Sequence, residues 1–299
     1  MKKIFCLLFF AMTLSLVYSQ SEPILKIGLI ADPQYQDKPS ATPPNSGERN
    51  YRSGLWKVEE AVKTFNFLNV DFVQTLGDVV DGELRSFDSI MPIYNNLYPE
   101  IDAYFLFGNH DYDVEDQSQL LDKLLMPDLY YSYVRKGWRF IVLNTSDYSF
   151  HANSLHKRDI KKVEAYGNAV KDKPNYFHWN GAVGEEQQAW LKRELKFAEK
   201  LGQKVILFAH IPLKPLGDIH CLWNNHEIIE IIENSPSVVA YINGHNHYGD
   251  YLKENGIHYL TMTGMIGNPY RNAYSILEIY EDGSLKLKAF GVQPDRDLD

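Results

Sequence analysis

Two polar segments carry side chains of a kind that could do chemistry: Gly77-Asp78-Val79-Val80-Asp81-Gly82 and Gly108-Asn109-His110-Asp111. Each follows a short apolar run, residues 72–76 and 103–107, that reads as a buried strand bounded by turn residues. Each therefore presents its side chains at the carboxyl end of a strand, where open α/β sheets build their sites. A carboxylate with no neighbouring base or nucleophile, then an amide beside a histidine, points to metal chemistry rather than covalent catalysis. Three more predicted strands end the same way, 25–31 at Asp32-Pro33-Gln34, 204–209 at His210 and 238–243 at Gly244-His245-Asn246-His247. A lone histidine is most often a hydrogen-bonded structural residue, and a lone aspartate after a strand is usually a turn former. Five strands each ending in a ligand-type residue, three of them beside glycine, form a joint pattern that turn formation does not explain.

The spacing has a mechanical reason. Asp32 and Gln34, like His245 and His247, are two residues apart and point the same way on an extended segment. Each pair can serve one side of a cluster, while the two oxygens of Asp78 allow it to bridge two ions. Mixed oxygen and nitrogen donors without thiolate favour manganese, iron or zinc over a thiolate zinc site. Two divalent ions about 3.5–4 Å apart stabilise the attacking and leaving oxygens of an in-line displacement.

The set Asp32-Pro33-Gln34, Gly77-Asp78, Gly108-Asn109-His110-Asp111, Ala209-His210 and Gly244-His245-Asn246-His247 resembles the motifs of the calcineurin-like metallophosphoesterases. The resemblance implies an α/β fold, a four-layer α/β/β/α sandwich of two mixed sheets with a two-metal site at one edge. It implies that Asp32, Gln34, Asp78 and His247 hold one ion, and Asp78, Asn109, His210 and His245 the other. It makes His110 the group that steadies and protonates the leaving oxygen, with Asp111 as its orienter. Gln34 stands where the family usually has histidine, which shifts that ion toward harder metals such as manganese. Gly82 and Asp81 replace the arginine of protein Ser/Thr phosphatases and the tyrosine ligand of purple acid phosphatases.

The Asp-x-Gln variant is similar to the manganese-dependent ADP-ribose/CDP-alcohol diphosphatase subfamily. So are Arg49-Asn50-Tyr51-Arg52-Ser53, Asn180-Gly181, Glu186-Gln187, Trp190-Leu191 and Cys221-Leu222-Trp223-Asn224. That similarity implies hydrolysis of the pyrophosphate bond of a small nucleotide-like substrate. Arg49 and Arg52 are candidates to grip a terminal phosphate, and Cys221 and Trp223 to line a nucleoside pocket. The rival readings are a phosphodiesterase or phosphomonoesterase on the same scaffold, acting on cyclic nucleotides or phospholipid head groups, and a non-catalytic binding protein.

The elements that must position these residues begin as β-α-β-α-β, with helices expected over 53–68 and 85–98, and imply parallel crossovers. A hairpin around Lys136-Gly137 and an irregular connection over 145–184 follow, the latter holding a helix over 157–170. Helices over 185–201 and 224–233 separate the next strands, and a closing antiparallel meander turns at Asn255-Gly256 and Asp282-Gly283. The 299 residues hold 44% hydrophobic and 23% charged side chains, ordinary for a globular protein. Residues 1–19 read as a signal peptide: Lys2-Lys3, an apolar run over 4–17 too short to span a bilayer, and a small-residue site before Gln20. Residues 20–299 then form a single exported domain, periplasmic or secreted, with no stable membrane anchor; members of the subfamily typically lack such a leader. Cleavage removes two lysines and no acid, moving the net charge from −9 to −11, which argues against a nucleic-acid partner. Of the two cysteines only Cys221 remains, so no internal disulfide forms.

Overall fold

The computed structural model describes residues 22–43, 47–151 and 160–298, so the expected signal peptide lies outside the described residues. The first strand, β1 (Leu25–Ile30), is followed by α1 (Gly54–Phe67), β2 (Phe72–Thr75), α2 (Phe87–Tyr94) and β3 (Asp102–Tyr104). Short helices α3 (Asn109–Tyr112) and α4 (Leu120–Lys123) lead to β4 (Tyr131–Arg135) and β5 (Trp138–Val142). The long connection contains β6 (Tyr148–Ser149), α5 (Ile160–Val170) and β7 (Gly181–Ala182). Then come α6 (Glu185–Lys200), β8 (Val205–Phe208), α7 (Asn225–Glu233) and β9 (Val238–Asn243). The remaining strands are β10 (Tyr248–Glu254), β11 (Ile257–Thr263), β12 (Ala273–Ile279), β13 (Leu285–Gly291) and β14 (Arg296–Leu298).

These strands form two mixed six-stranded sheets, in the orders β14-β13-β12-β1-β2-β3 and β10-β11-β9-β8-β5-β4, with β6 and β7 as a separate pair. In the first sheet β1, β2 and β3 run parallel. In the second β5, β8, β9 and β11 run parallel. The final strands are not one meander. β10 and β11 extend the second sheet, whereas β12 crosses back to pair with β1 and carries β13 and β14 with it. Strand alternation alone does not say which sheet a hairpin joins, because either sheet offers an edge of matching polarity.

Three apolar layers hold the sandwich together. Val58, Val62 and Phe65 of α1 and Phe87 and Ile90 of α2 cover the outer face of the first sheet. Leu191 and Leu195 of α6 and Ile228 and Ile232 of α7 cover the second. Between the sheets, Ile27 and Leu29 of β1 pack in one layer with a set of aromatic rings. Phe72 meets Phe140 edge-on at 5.1 Å, and Phe140 stacks on Phe208 at 5.9 Å. Large buried rings contribute roughly 3–5 kcal/mol each against truncation to alanine, so this layer fixes how the sheet edges face each other.

Local details depart from the sequence pattern for identifiable reasons. Helix α2 stops at Tyr94, because Asn66 captures the following chain: its amide donates to Asn96 O (2.8 Å) and its carbonyl accepts from Tyr98 N (2.9 Å). Ser53 does not cap α1 with its hydroxyl; a single turn over Tyr51–Ser53 leads into the helix, and Ser53 Oγ donates to Asn50 O. Two of the three predicted hairpin turns, Lys136-Gly137 and Asn255-Gly256, have two residues at positive φ, as a tight two-residue connection requires, whereas at Asp282-Gly283 only the glycine does. Among the described residues no helix is long and apolar enough to cross a membrane.

Candidate metal centre

The parallel strands of both sheets end at one shared edge, and the backbone there is unusual. Asp32, Gln34, Asp78 and His245 have φ values of 49°, 40°, 52° and 71°, so the segments expected to be extended at Asp32–Gln34 and His245–His247 are instead left-handed turns. Residues with a Cβ rarely occupy this left-handed region, and each instance costs on the order of 1–3 kcal/mol unless its surroundings enforce it. The sheets do enforce it. Gln34 N donates to Asp78 O (2.8 Å), Ile266 N to Asp32 O (3.0 Å) and Gly244 N to His210 O (3.1 Å), so each turn is pinned by its neighbour. Lys57, fully buried in α1, donates to the carbonyls of Met265 and Asn268 and clamps the 264–268 turn against the end of β1.

Glycine is required where these turns touch. A Cβ on Gly108 would fall on the Oδ1 atom of Asp78. One on Gly77 would lie 2.7 Å from Gly108 N and 2.8 Å from His210 Nδ1, and one on Gly244 would lie 2.7 Å from Asp32 Oδ2. The glycines beside the ligand-type residues therefore leave room for carboxylates and an imidazole.

All seven predicted donors converge. Gln34 Nε2 lies 2.8 Å from Asp78 Oδ2 and 3.1 Å from His247 Nε2, which is itself 3.8 Å from Asp32 Oδ1. On the other side His210 Nε2 lies 3.3 Å from Asp78 Oδ2, 3.2 Å from Asn109 Oδ1 and 3.2 Å from His245 Nδ1. Asp78 is common to both groups. Two outer contacts set the imidazole tautomers: His210 Nδ1–H donates to Leu76 O (2.8 Å), and His245 Nε2–H donates to Asn180 Oδ1 (2.8 Å). Both rings therefore turn a lone pair inward, toward oxygens that are also acceptors.

That crowding of acceptors is the test of fit, and it is met. Lone pairs from two carboxylates, three imidazoles and an amide face one another in a buried volume, and cations reconcile them. Gln34 agrees with this. Its Oε1 is buried without a hydrogen-bond partner among the described residues, and a half-turn of the amide would bring that oxygen between Asp78 and His247. The protein's own charges show the strain. Burial pushes the Asp32 carboxyl up to about 7, with His210 opposing and Asp78 adding to the rise. Burial, with Arg49 nearby, drives His247 down to about 3. Burial opposes charge on His210, but Asp78 and Asp32 raise it to about 9, so binding of a cation there displaces a proton from the inward Nε2 to free its lone pair.

His110 sits beside the donors with its Nδ1 2.6 Å from Asp81 Oδ1 and its Nε2 3.1 Å from Arg49 Nη1. Burial opposes charge on this ring, but Asp78 and Asp81 raise its pKa above the ordinary histidine value. The expected role of Asp111 is thus corrected. Its Oδ1 accepts from Val79 N (2.9 Å) and Val80 N (3.0 Å), and its Oδ2 from Gly108 N (2.9 Å), stitching the two ligand turns together. Asp81, rather than Asp111, holds the His110 ring.

The four expected substrate contacts divide. Arg49 reaches the site. Arg52 turns away, pairing with Asp37 at 2.7 Å on an exposed surface. Cys221 and Trp223 are fully buried: Cys221 Sγ donates to Pro215 O, and Trp223 Nε1 donates to Phe177 O and packs with Val170, Ala182 and Tyr176. Their apolar bulk made them core rather than pocket wall. Sequence reasoning gave no role to Asp81 and Asn180. Both lie within segments already singled out, Gly77–Gly82 and Asn180-Gly181, but only the folded chain brings Asp81 to His110 and Asn180 to His245.

Seven oxygen and nitrogen donors meeting around Asp78 at the edge of a double sheet could hold two divalent cations, as a phosphoesterase centre does. The calcineurin-like phosphoesterase family matches residues 25–249, and the chain belongs to that family. It is accordingly a metal-dependent phosphoesterase. Oryza sativa subsp. japonica has a protein named manganese-dependent ADP-ribose/CDP-alcohol diphosphatase that is 29% identical, covering 91% of this chain and 94% of the relative. The Mus musculus protein of the same name is 28% identical, covering 92% and 93%. The crystal structure of a dimetal phosphatase from Danio rerio shares the fold with a TM-score of 0.84 at 23% identity, over 93% of this chain and 99% of that one.

The glycine argument makes a direct prediction. Gly108→Ala should displace the Asp78 carboxylate and leave less than one tightly bound metal per chain by elemental analysis, with activity lost in parallel. Full metal content in a folded Gly108→Ala protein would show that the close approach is not needed.

Proposed function

We propose that this chain is a manganese-dependent diphosphatase that hydrolyses the phosphoanhydride bond of nucleoside diphosphate compounds such as ADP-ribose or CDP-alcohols. The observation that carries the reading is the convergence of two donor groups on Asp78 with His110 presented beside them. The names of the relatives supply the substrate class, and the Asp-x-Gln pair supplies the preference for manganese. Asp32, Gln34, Asp78 and His247 would hold one cation, and Asp78, Asn109, His210 and His245 the second. When bound, the cations supply Lewis acidity, drawing charge from phosphoryl oxygens and lowering the pKa of water toward neutrality.

The chain's own residues then order the rest. His110 N donates to Asp78 Oδ1 (2.9 Å), which locks the carboxylate that both cations would share to the turn bearing the histidine. Asp81 holds the Nδ1 side of His110, and Nε2 meets Arg49 Nη1 at 3.1 Å, a contact that must give way for a protonated Nε2 to reach the departing oxygen. Hydrolysis adds the oxygen of water to one phosphorus and breaks its bond to the bridging oxygen. The bonding pair stays on the departing phosphate, and His110 delivers a proton there from Nε2. No serine or cysteine nucleophile is required.

His110→Ala should lower kcat by roughly 10²–10⁴-fold while metal content stays near two per chain; loss of metal would make His110 structural. Wild-type enzyme loaded with manganese should cleave ADP-ribose or CDP-choline faster than bis-p-nitrophenyl phosphate or a sphingomyelin analogue. The reverse order would favour a phosphodiesterase instead.

We also propose export, on the strength of the Lys2-Lys3 start, the apolar run and the small residues before Gln20. The intact mass of the protein recovered outside the cytoplasm should correspond to a chain starting at Gln20. A mass retaining residues 1–19 would contradict this.

A further inference from the structure

Four basic side chains lie between residues 38 and 57, and three are committed to partners. Lys38 pairs with Asp81, Arg52 with Asp37, and Lys57 with two backbone carbonyls. Among the described residues Arg49 has no carboxylate partner, and its Nε is buried with no hydrogen-bond partner at all. Its Nη1 stands 3.1 Å from His110 Nε2, and its charge is felt by His247 on the far side of the cluster. The guanidinium is held there by its own backbone: Arg49 N donates to Ala41 O (2.7 Å) and Ala41 N to Arg49 O (3.0 Å). The next residue, Asn50, is fixed by Ile266 O through both its N (3.0 Å) and its Nδ2 (3.2 Å).

A guanidinium whose one side-chain contact is the His110 imidazole, with no carboxylate to neutralise it among the described residues, is completed by an anion that takes over its remaining donors. The planar fork of arginine matches two oxygens of one phosphoryl group, and such charge-assisted pairs are about twice as strong as neutral ones. Gly82, on the other side of the His110 turn, brings no side chain that could do this.

We propose that Arg49 is the receptor for the second phosphoryl group of the substrate, the one that departs, and that it sets the preference for a phosphoanhydride over a simple diester. This rests on the diphosphatase reading above. As the bond to the bridging oxygen breaks, that phosphate gains negative charge, so the contact strengthens toward the transition state and acts on kcat as well as KM. A p-nitrophenolate leaving group offers one delocalised oxygen and no phosphoryl fork to grip.

The test compares wild type, Arg49→Ala, Arg49→Lys and Arg52→Ala, all loaded with manganese and checked for equal metal content. For Arg49→Ala, kcat/KM on ADP-ribose should fall roughly 10- to 100-fold, against about threefold or less on bis-p-nitrophenyl phosphate. AMP binding measured by calorimetry should weaken at least about tenfold. Arg49→Lys should recover part of each loss, and Arg52→Ala should behave as wild type. Equal losses on both substrates, or unchanged AMP binding, would overturn the assignment of Arg49 alone. Wild type that cleaves bis-p-nitrophenyl phosphate but neither ADP-ribose nor CDP-choline would overturn the diphosphatase reading and this assignment with it.

Discussion

The structure depends on how one carboxylate is held. Asp78 is buried at the junction of two sheets, with a left-handed backbone, a hydrogen bond from His110 N and a glycine on each side of the contact. Burying a carboxylate is expensive unless it is paired. His210 and His110 together pull its pKa well below the ordinary value despite that burial. The charge is therefore kept, and it is shared between two donor groups that would otherwise be separate sites.

Topology supplies the rest of the convergence. Parallel strands deliver their carboxyl ends to the same edge, so β1 and β2 of the first sheet and β8 and β9 of the second each contribute one turn. The turns are joined across the gap rather than only within a sheet. His210 reaches from the second sheet to Leu76 O of the first, and His245 N donates to Asp32 Oδ1 (3.1 Å). The aromatic layer between the sheets makes those cross-sheet distances rigid. The return of β12 to β1 keeps the first sheet's central strand from being an edge.

Much of this was legible in the sequence, and the boundary of legibility is physical. Asp32, Gln34, Asp78, Asn109, His210, His245 and His247 could be read because each sits at a strand end, where a short apolar run stops at a turn. Contacts made by long-range folding could not be read that way. Asp81 and Asp111 are both aspartates in the same motifs, and only their positions in space decide which meets His110 and which ties the backbone. For Cys221 and Trp223 apolar bulk fits a pocket wall and, slightly better, the core, and the fold places both in the core. The positive φ values at Asp32, Gln34, Asp78 and His245 had no sequence signal, since glycine is the usual mark of that conformation; it stands beside Asp78 and His245 rather than at them, and is absent next to Asp32 and Gln34. The assignment of the last hairpins to two different sheets likewise depends on partners far away in the chain.

Fold and chemistry meet in the proposal that Asp78 would bridge two cations held by otherwise distinct donor groups. Electron paramagnetic resonance of the protein titrated with manganese addresses it directly. A shared carboxylate predicts an exchange-coupled pair, seen as a broad multiline spectrum that develops as the second equivalent binds. Two independent six-line signals that simply add, or saturation at one equivalent, would contradict the bridge.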